Sequence, residues 1–296
     1  MRVGLPRGLL YYRYGPFWQA FLTGLGLEVV LSRRTDKILL QAGLEHVSSE
    51  ICLPVKIIAG HILDLAGRVD AIFLPRLVSL EDRLYTCPKM VGIVDIARMM
   101  LGGRTRLVAP TVTREMFWPH FRAGLALTGD PLKSFRALSA ARPLLDRRPG
   151  AAGPGSGKSV ALIGHFYNVG DDYIGLPIVR AFEQHGYRVR LKDELPVSVL
   201  RSPAGFAGNI RWVYERELYN AFRALAHEVD GVCVLVSMGC GPDSLVAEFM
   251  REEARTLDVP FLQLVLDEHT GTAGLVTRIE AFLELAERRR HARAAA

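Results

Sequence analysis

Cysteine is scarce in this chain, and long apolar runs are absent. Four cysteines occur among 296 residues, and none of them forms a close pair of the Cys-x-x-Cys kind. This excludes the disulfide framework of a small secreted domain, so the cysteines indicate metal binding, redox chemistry or burial. No window approaches 18 uninterrupted apolar residues, and we therefore expect no membrane-spanning helix.

The N-terminal segment also lacks the features of a secretion signal. Residues 1–7 contain neither an apolar core nor a small-residue cleavage site, so we expect a cytoplasmic protein. The net charge of +6 would favour nucleic acid as a partner, but part of it lies in the basic segment 288–293. Because basic and aromatic residues do not interleave as in nucleic-acid-binding modules, we expect no nucleic-acid partner.

Short apolar runs, turns and amphipathic runs alternate along the sequence. This pattern predicts an α/β fold of parallel strands and crossover helices. The length predicts two domains. The segment 148–158, rich in glycine, alanine and proline, predicts a linker between an N-terminal domain, 1–147, and a C-terminal domain, 159–296. We predict strands at 2–5, 28–31, 71–74, 106–109, 160–164, 188–192, 231–236 and 261–266.

Three cysteines, Cys52, Cys87 and Cys240, have a proline within two positions at a predicted helix start. The helix dipole and the backbone N–H groups stabilise a thiolate at such a terminus, so three such termini that meet would hold an anionic iron-sulfur cluster. Asp243 follows Cys240 closely and is predicted to cap the backbone N–H groups of the same helix. Cys233 lies inside an apolar strand and is predicted to be core.

Two alternatives remain for the three cysteines. They would be buried as small hydrophobic side chains, as cysteines often are, or they would bind structural zinc. Zinc requires a fourth Cys or His ligand. A cluster with three protein thiolates instead leaves one iron open to a small-molecule ligand, which makes chemistry at the cluster possible.

Polar residues follow two predicted strands of the second half. His165 and Asn168 come after the first strand, and Glu268 and His269 come after the last. Functional groups of open α/β sheets collect at the carboxyl ends of strands, so these four are candidate catalytic residues. His165 and the segment that contains Glu268 and His269 would supply protons. The alternative is that they only cap helices or complete turns.

Several motifs in combination carry a resemblance to a known family. They lie at 4–12 (GLPRGLLYY), 50–56 (EICLPVK), 60–61 (GH), 74–76 (LPR), 85–89 (YTCPK), 239–244 (GCGPDS), 267–271 (DEHTG) and 275–278 (LVTR). With them the chain resembles the proteins related to the activases and iron-sulfur D-components of 2-hydroxyacyl-CoA dehydratases. That group also includes the benzoyl-CoA reductase type and the double-cubane cluster proteins. The resemblance covers nearly the whole chain.

The resemblance implies two Rossmann-like domains with mostly parallel sheets, and a 4Fe-4S cluster held by Cys52, Cys87 and Cys240 in the cleft between them. Long relatives carry an N-terminal ATPase domain, whereas this chain begins at its first predicted strand. We therefore expect a separate ATP-hydrolysing activase or reductase to deliver low-potential electrons to the cluster. The implied function is reductive chemistry on a small molecule, of a dehydratase or reductase type, in an oxygen-sensitive protein.

Two further alternatives accompany this function. One is a non-enzymatic electron relay or cluster-bearing subunit of a larger complex. The other is a homodimer in which two chains share one cluster.

Overall fold

The structure is a computed structural model that describes residues 1–145, 157–269 and 272–295. The chain divides into two compact units, Met1–Arg147 and Arg148–Ala296. The predicted linker, 148–158, lies outside the described residues except at its last two positions.

The first unit alternates strands and helices over its described residues. Its strands are β1 (Arg2–Leu5), β2 (Glu28–Leu31), β3 (Ala71–Phe73), β4 (Arg76–Glu81), β5 (Leu84–Tyr85), β6 (Arg106–Val108) and β7 (Thr111–Thr113). Its helices are α1 (Tyr11–Gly24), α2 (Lys37–Leu44), α3 (Leu53–Leu65), α4 (Pro88–Leu101), α5 (Phe117–Thr128) and α6 (Pro131–Ala141).

The main sheet of the first unit has the order β2-β1-β3-β6, and all of its pairs are parallel. Every residue of β3 is buried, as expected of a strand that is covered on both faces of a parallel sheet. A smaller sheet has the order β5-β4-β7, in which β4 is antiparallel to β5 and parallel to β7.

The second unit repeats the alternation. Its strands are β8 (Ser159–Ile163), β9 (Arg188–Leu191), β10 (Gly231–Ser237) and β11 (Phe261–Leu266). Its helices are α7 (Phe166–Val169), α8 (Leu176–Gln184), α9 (Val197–Leu200), α10 (Val213–Leu225), α11 (Gly241–Thr256) and α12 (Thr272–Ala295). The sheet is parallel throughout, in the order β11-β10-β8-β9.

The predicted α/β fold with mostly parallel sheets is confirmed, and each predicted strand corresponds to a strand of one of the two main sheets. The smaller sheet was not predicted, because β5 and β7 have only two and three residues and β4 carries charged residues at both ends, Arg76 and Glu81. Cys233 is fully buried in β10, as predicted. Among the described residues, no helix combines the length and the apolar character needed to cross a membrane.

Two glycines allow α2 and α3 to cross closely. A Cβ atom on Gly43 would clash with the carbonyl oxygen of Lys56, and a Cβ atom on Gly60 would clash with that of Leu39. The atoms that obstruct are backbone atoms, which cannot rotate away. Because α3 starts directly after Cys52, this crossing fixes the helix that carries one of the candidate cluster ligands.

We predict that Gly43→Ala or Gly60→Ala destabilises the protein by about 1–3 kcal/mol through overpacking. Apart from its chain neighbours and the backbone of its own helix, a Cβ atom on Gly92, inside α4, would meet no atom of the described residues within 4 Å. Gly92→Ala is therefore the matched control, expected to stabilise by about 0.5–1 kcal/mol through helix propensity. Urea unfolding followed by circular dichroism measures both effects, and equal effects at the three positions would contradict the close crossing.

Candidate functional site

The sheet of the second unit changes its direction of winding between β8 and β10. From β8 the chain proceeds to β9 on one side, and the later strands β10 and β11 lie on the other side. The carboxyl ends of β8 and β10 therefore border a topological switch point, the place where open α/β sheets bind ligands. His165 follows β8 after Gly164, and Cys240 follows β10.

His165 and Asp243 form a buried pair at this switch point. Their Nε2 and Oδ1 atoms lie 2.6 Å apart, and the two residues are 1% and 3% exposed. The prediction that Asp243 caps its own helix was wrong. Because β8 and β10 are neighbours, the first turn of α11 lies beside the loop after β8, and the carboxylate pairs with the imidazole there.

Glu215, in α10, is the third member of this cluster. One potential ligand atom from each of His165, Glu215 and Asp243 lies within 4.8 Å of the others; we call these three residues the buried triad. Glu215 was not among the predicted site residues, because the charged run 215–217 is typical of a solvated helix face. In the structure α10 is instead buried along almost its whole length.

Glu215 differs from its neighbour Glu217 in its partners. Glu217 pairs with the buried Lys192, at 3.4 Å, and with Arg201, at 3.0 Å. Lys192 also pairs with Asp193. Within the described residues, neither lysine nor arginine forms an ion pair with Glu215, whose carboxylate accepts a hydrogen bond from its own backbone N–H.

The environment shifts the protonation of the triad. Burial raises the pKa of Glu215 to about 7; the charge of His165 opposes this rise and that of Asp243 adds to it. Burial alone would lower the pKa of His165, but the charge and hydrogen bond of Asp243 outweigh it and raise that pKa above its ordinary value. The triad therefore retains protons at neutral pH that the same side chains would release in water.

Asn168 makes a second link between the two strand ends. Its Nδ2 atom donates a hydrogen bond to Oγ of Ser237 at 2.8 Å, and both residues are buried. The ring of His165 stacks on Tyr167, with centroids 4.7 Å apart. The structure thus brings Asn168 and His165 to the same switch point, and their catalytic role stays a prediction.

Glu268 and His269 lie in the turn after β11. His269 is exposed, and its backbone N–H donates to the carboxylate of Asp267 at 2.8 Å. Since β10 separates β11 from β8 in the sheet, these residues are one strand further from His165 than Asp243 is. Neither belongs to the buried triad, and their catalytic role also stays a prediction.

The three candidate cluster ligands each stand at a helix start, as predicted. Cys52, Cys87 and Cys240 are the N-cap residues of α3, α4 and α11, with a proline in the first turn of each helix. Cys52 is buried, whereas Cys87 and Cys240 are partly exposed. Within the first unit α3 packs against α4. Binding of a cluster by these residues stays a prediction.

The first unit has a comparable switch point between β1 and β3. Arg7 follows β1 and donates its backbone N–H to Oγ of Ser32 at 2.9 Å. Ser32 and Thr35 are hydrogen-bonded to the two ring nitrogens of His61, at 2.9 and 3.1 Å. Burial, and then the charge of Arg7, lower the pKa of His61 to about 3, so this histidine is neutral. Its hydrogen bonds connect α3 to the segment that follows β2.

A family model described as "CoA enzyme activase uncharacterised domain (DUF2229)" matches residues 2–195. This chain belongs to that family. The match includes Cys52, Cys87 and His165, and it ends before Cys240 and the rest of the buried triad. It confirms the resemblance to the activase side of the dehydratase system. The matched family is not that of the iron-sulfur D-component.

No curated protein matches the chain in sequence. Among solved structures, two of a LacI family transcriptional regulator from Arthrobacter sp. FB24 are 14% and 13% identical to it. Each match covers 97% of this chain and 90% of the regulator chain, and the TM-scores are 0.23 and 0.22. The second structure is a complex with lactose.

The raised pKa of Glu215 predicts the pH dependence of stability. The folded state holds a proton between about pH 4.5 and 7 that the unfolded chain has released, so the stability of the wild type falls as pH rises through this range. The raised pKa of His165 acts in the same direction. Glu215→Gln removes the contribution of the carboxyl group, so it flattens the decline and gains up to about 3 kcal/mol over the wild type above pH 7.

Urea unfolding at pH 5, 6, 7 and 8 measures this dependence. Glu252→Gln, which alters an exposed residue of α11, is the control and should leave the slope unchanged. An unaltered slope in Glu215→Gln would show that the carboxyl group is not held protonated in the folded state.

Proposed function

We propose that this chain is an iron-sulfur component of the CoA enzyme activase system in which Cys52, Cys87 and Cys240 bind one 4Fe-4S cluster. One observation carries the proposal. Three cysteines that are far apart in sequence occupy the same local position, the N-cap of a helix with a proline in its first turn. Membership of the CoA enzyme activase family supports the same system.

The donor set fits such a cluster chemically. Thiolates are the usual protein ligands of iron-sulfur clusters. The backbone carbonyl of each cysteine accepts the first hydrogen bond of its helix, from Val55 to Cys52, from Met90 to Cys87 and from Ser244 to Cys240. Each cysteine therefore lies at the positive end of a helix dipole, which favours a bound anion.

Cys233 provides the internal contrast. It is fully buried in β10, and burial raises the pKa of its thiol well above the ordinary value. Burial in apolar surroundings favours the protonated thiol, whereas the thiolate is the form that binds metal. The fourth cysteine therefore belongs to the hydrophobic core, and three thiols remain for a cluster.

The proposed role is to accept low-potential electrons from an ATP-hydrolysing activase or reductase partner for dehydratase- or reductase-like chemistry on a small molecule. A bound cluster would supply one-electron transfer and an iron position open to that molecule. The residues of this chain would bind the cluster and supply protons, and the positive ends of the three helices would stabilise its negative charge. His165, Glu268 and His269 are the candidate proton donors, and Asn168 is a candidate site residue that would only form hydrogen bonds. His165 shares a proton with Asp243 on the helix that follows Cys240.

The second candidate function is an electron relay without a substrate of its own. The family match favours it, because the matched description names an activase domain and not a substrate-reducing subunit. Turnover of a small molecule by the reduced chain alone would exclude the relay. Electron transfer that requires a second protein for every product formed would favour it.

We predict that protein purified without air is brown and contains about four iron and four sulfide per chain. Cys52→Ala, Cys87→Ala and Cys240→Ala should each lose most of the iron, because two thiolates hold a cluster poorly. Cys233→Ala, the matched control, should retain it. Iron and sulfide analysis with the visible absorption spectrum checks these results; a colourless protein that contains zinc, or iron that persists in all three variants, would contradict the proposal.

A further inference from the structure

We propose that the buried triad of His165, Glu215 and Asp243 binds one divalent transition-metal ion, at a site distinct from the three candidate cluster thiols. The three side chains come from different elements: the loop after β8, the helix α10 and the first turn of α11. They converge at the switch point where ligands bind in this kind of sheet. The inference holds whether or not the thiols bind a cluster.

The geometry of the triad suits one ion. Ligand atoms that each lie about 2.0–2.2 Å from a metal are separated from one another by about 3–4 Å. The potential ligand atoms of the triad lie within 4.8 Å of one another, so small rotations of the side chains are sufficient to enclose an ion. The 2.6 Å separation between the imidazole and the carboxylate of Asp243 is a hydrogen-bond distance, so an ion would replace the shared proton and move these two atoms slightly apart.

Polar atoms of the triad are left unsatisfied by the described protein residues. Nδ1 of His165 and Oδ2 of Asp243 are buried and have no hydrogen-bond partner there. Glu215, 3% exposed, accepts a hydrogen bond from its own backbone N–H but forms no ion pair with a lysine or arginine of the described residues. Each buried polar group without a partner costs about 1–3 kcal/mol. A proton shared between His165 and Asp243 satisfies one atom of each residue and leaves Glu215 unaffected, whereas a cation interacts with both carboxylates.

The charge balance points the same way. Once the triad has released its protons, two carboxylates beside a neutral imidazole carry two negative charges, and buried charges are normally paired or bind a metal. Lys192, a buried cation whose charge acts on His165, already pairs with Asp193 and Glu217. Glu217, in the same helix α10 as Glu215, is instead in a structural ion pair with two basic side chains, Lys192 and Arg201. A divalent ion would neutralise the triad as those side chains neutralise Glu217.

The ligand types select the class of ion. Calcium and magnesium prefer shells made of oxygen atoms. One imidazole with two carboxylates suits Mn²⁺, Fe²⁺ or Zn²⁺. Metal binding at neutral pH must displace protons from the triad.

The test uses Mn²⁺ as the probe, because soft thiolate ligands do not favour this ion and the cysteines therefore do not compete. The full chain is freed of metal with a chelator and equilibrated overnight with Mn²⁺ by dialysis. The electron paramagnetic resonance signal of unbound Mn²⁺ then reports binding. We expect one ion per chain, and at least a tenfold loss of affinity in Glu215→Gln and in Asp243→Asn.

Two controls separate this site from other metal binding. His185 and Glu280 form an exposed His–carboxylate pair with nitrogen and oxygen 3.7 Å apart, so His185→Gln should bind Mn²⁺ like the wild type. Cys240→Ala should also keep its Mn²⁺ while losing iron, which distinguishes failure of the triad site from failure of the cluster proposal. Circular dichroism melts establish whether each variant folds. If Asp243→Asn does not fold, the Mn²⁺ affinity of Glu215→Gln alone decides the test.

Two results would overturn the inference. One is the absence of stoichiometric Mn²⁺ binding by the wild type at equilibrium, which would leave the triad as a group of side chains that share protons only. The other is binding that is unchanged in Glu215→Gln, or that is lost in His185→Gln, since either would place the ion elsewhere on the protein.

Discussion

The parallel pairing of β8 with β10 is the constraint on which the candidate site depends. Parallel strands that are buried on both faces have no place for polar side chains along their length, and every residue of β10 is buried. Polar chemistry is therefore confined to the strand ends. Val234 pairs with Ile163, the last residue of β8. The chain after β8 therefore continues beside the last residues of β10, where Asn168 contacts Ser237, and the residues that follow the two strands meet there.

The buried triad also depends on a helix that is enclosed by the protein. A surface helix would direct Glu215 into water, where a carboxylate has no need of a partner. In α10 the charged residues are instead inside, and the fold provides Lys192 and Arg201 for Glu217 but nothing equivalent, among the described residues, for Glu215. Burying a charge without compensation is costly, so Glu215 either holds a proton or requires a cation.

Local pattern was sufficient for most of the fold and for part of the site. Alternating apolar runs predicted the strands of both main sheets, and the prolines predicted that Cys52, Cys87 and Cys240 start helices, because both signals act over a few residues. Pairings across long stretches of chain were not predictable in this way. His165 was a candidate from its position after β8, but its partner Asp243 depends on the order of the strands, which no local pattern records. Glu215 was missed because its burial follows from the packing of a whole helix.

The start of α11 has a mechanical consequence. Cys240 and Asp243 belong to the same first turn, in which the backbone N–H of Ser244 donates to the carbonyl oxygen of Cys240. The partly exposed thiol and the buried carboxylate that holds His165 are therefore attached to one hydrogen-bonded turn. A shift of the backbone at Cys240 would act on that carboxylate without an intervening loop.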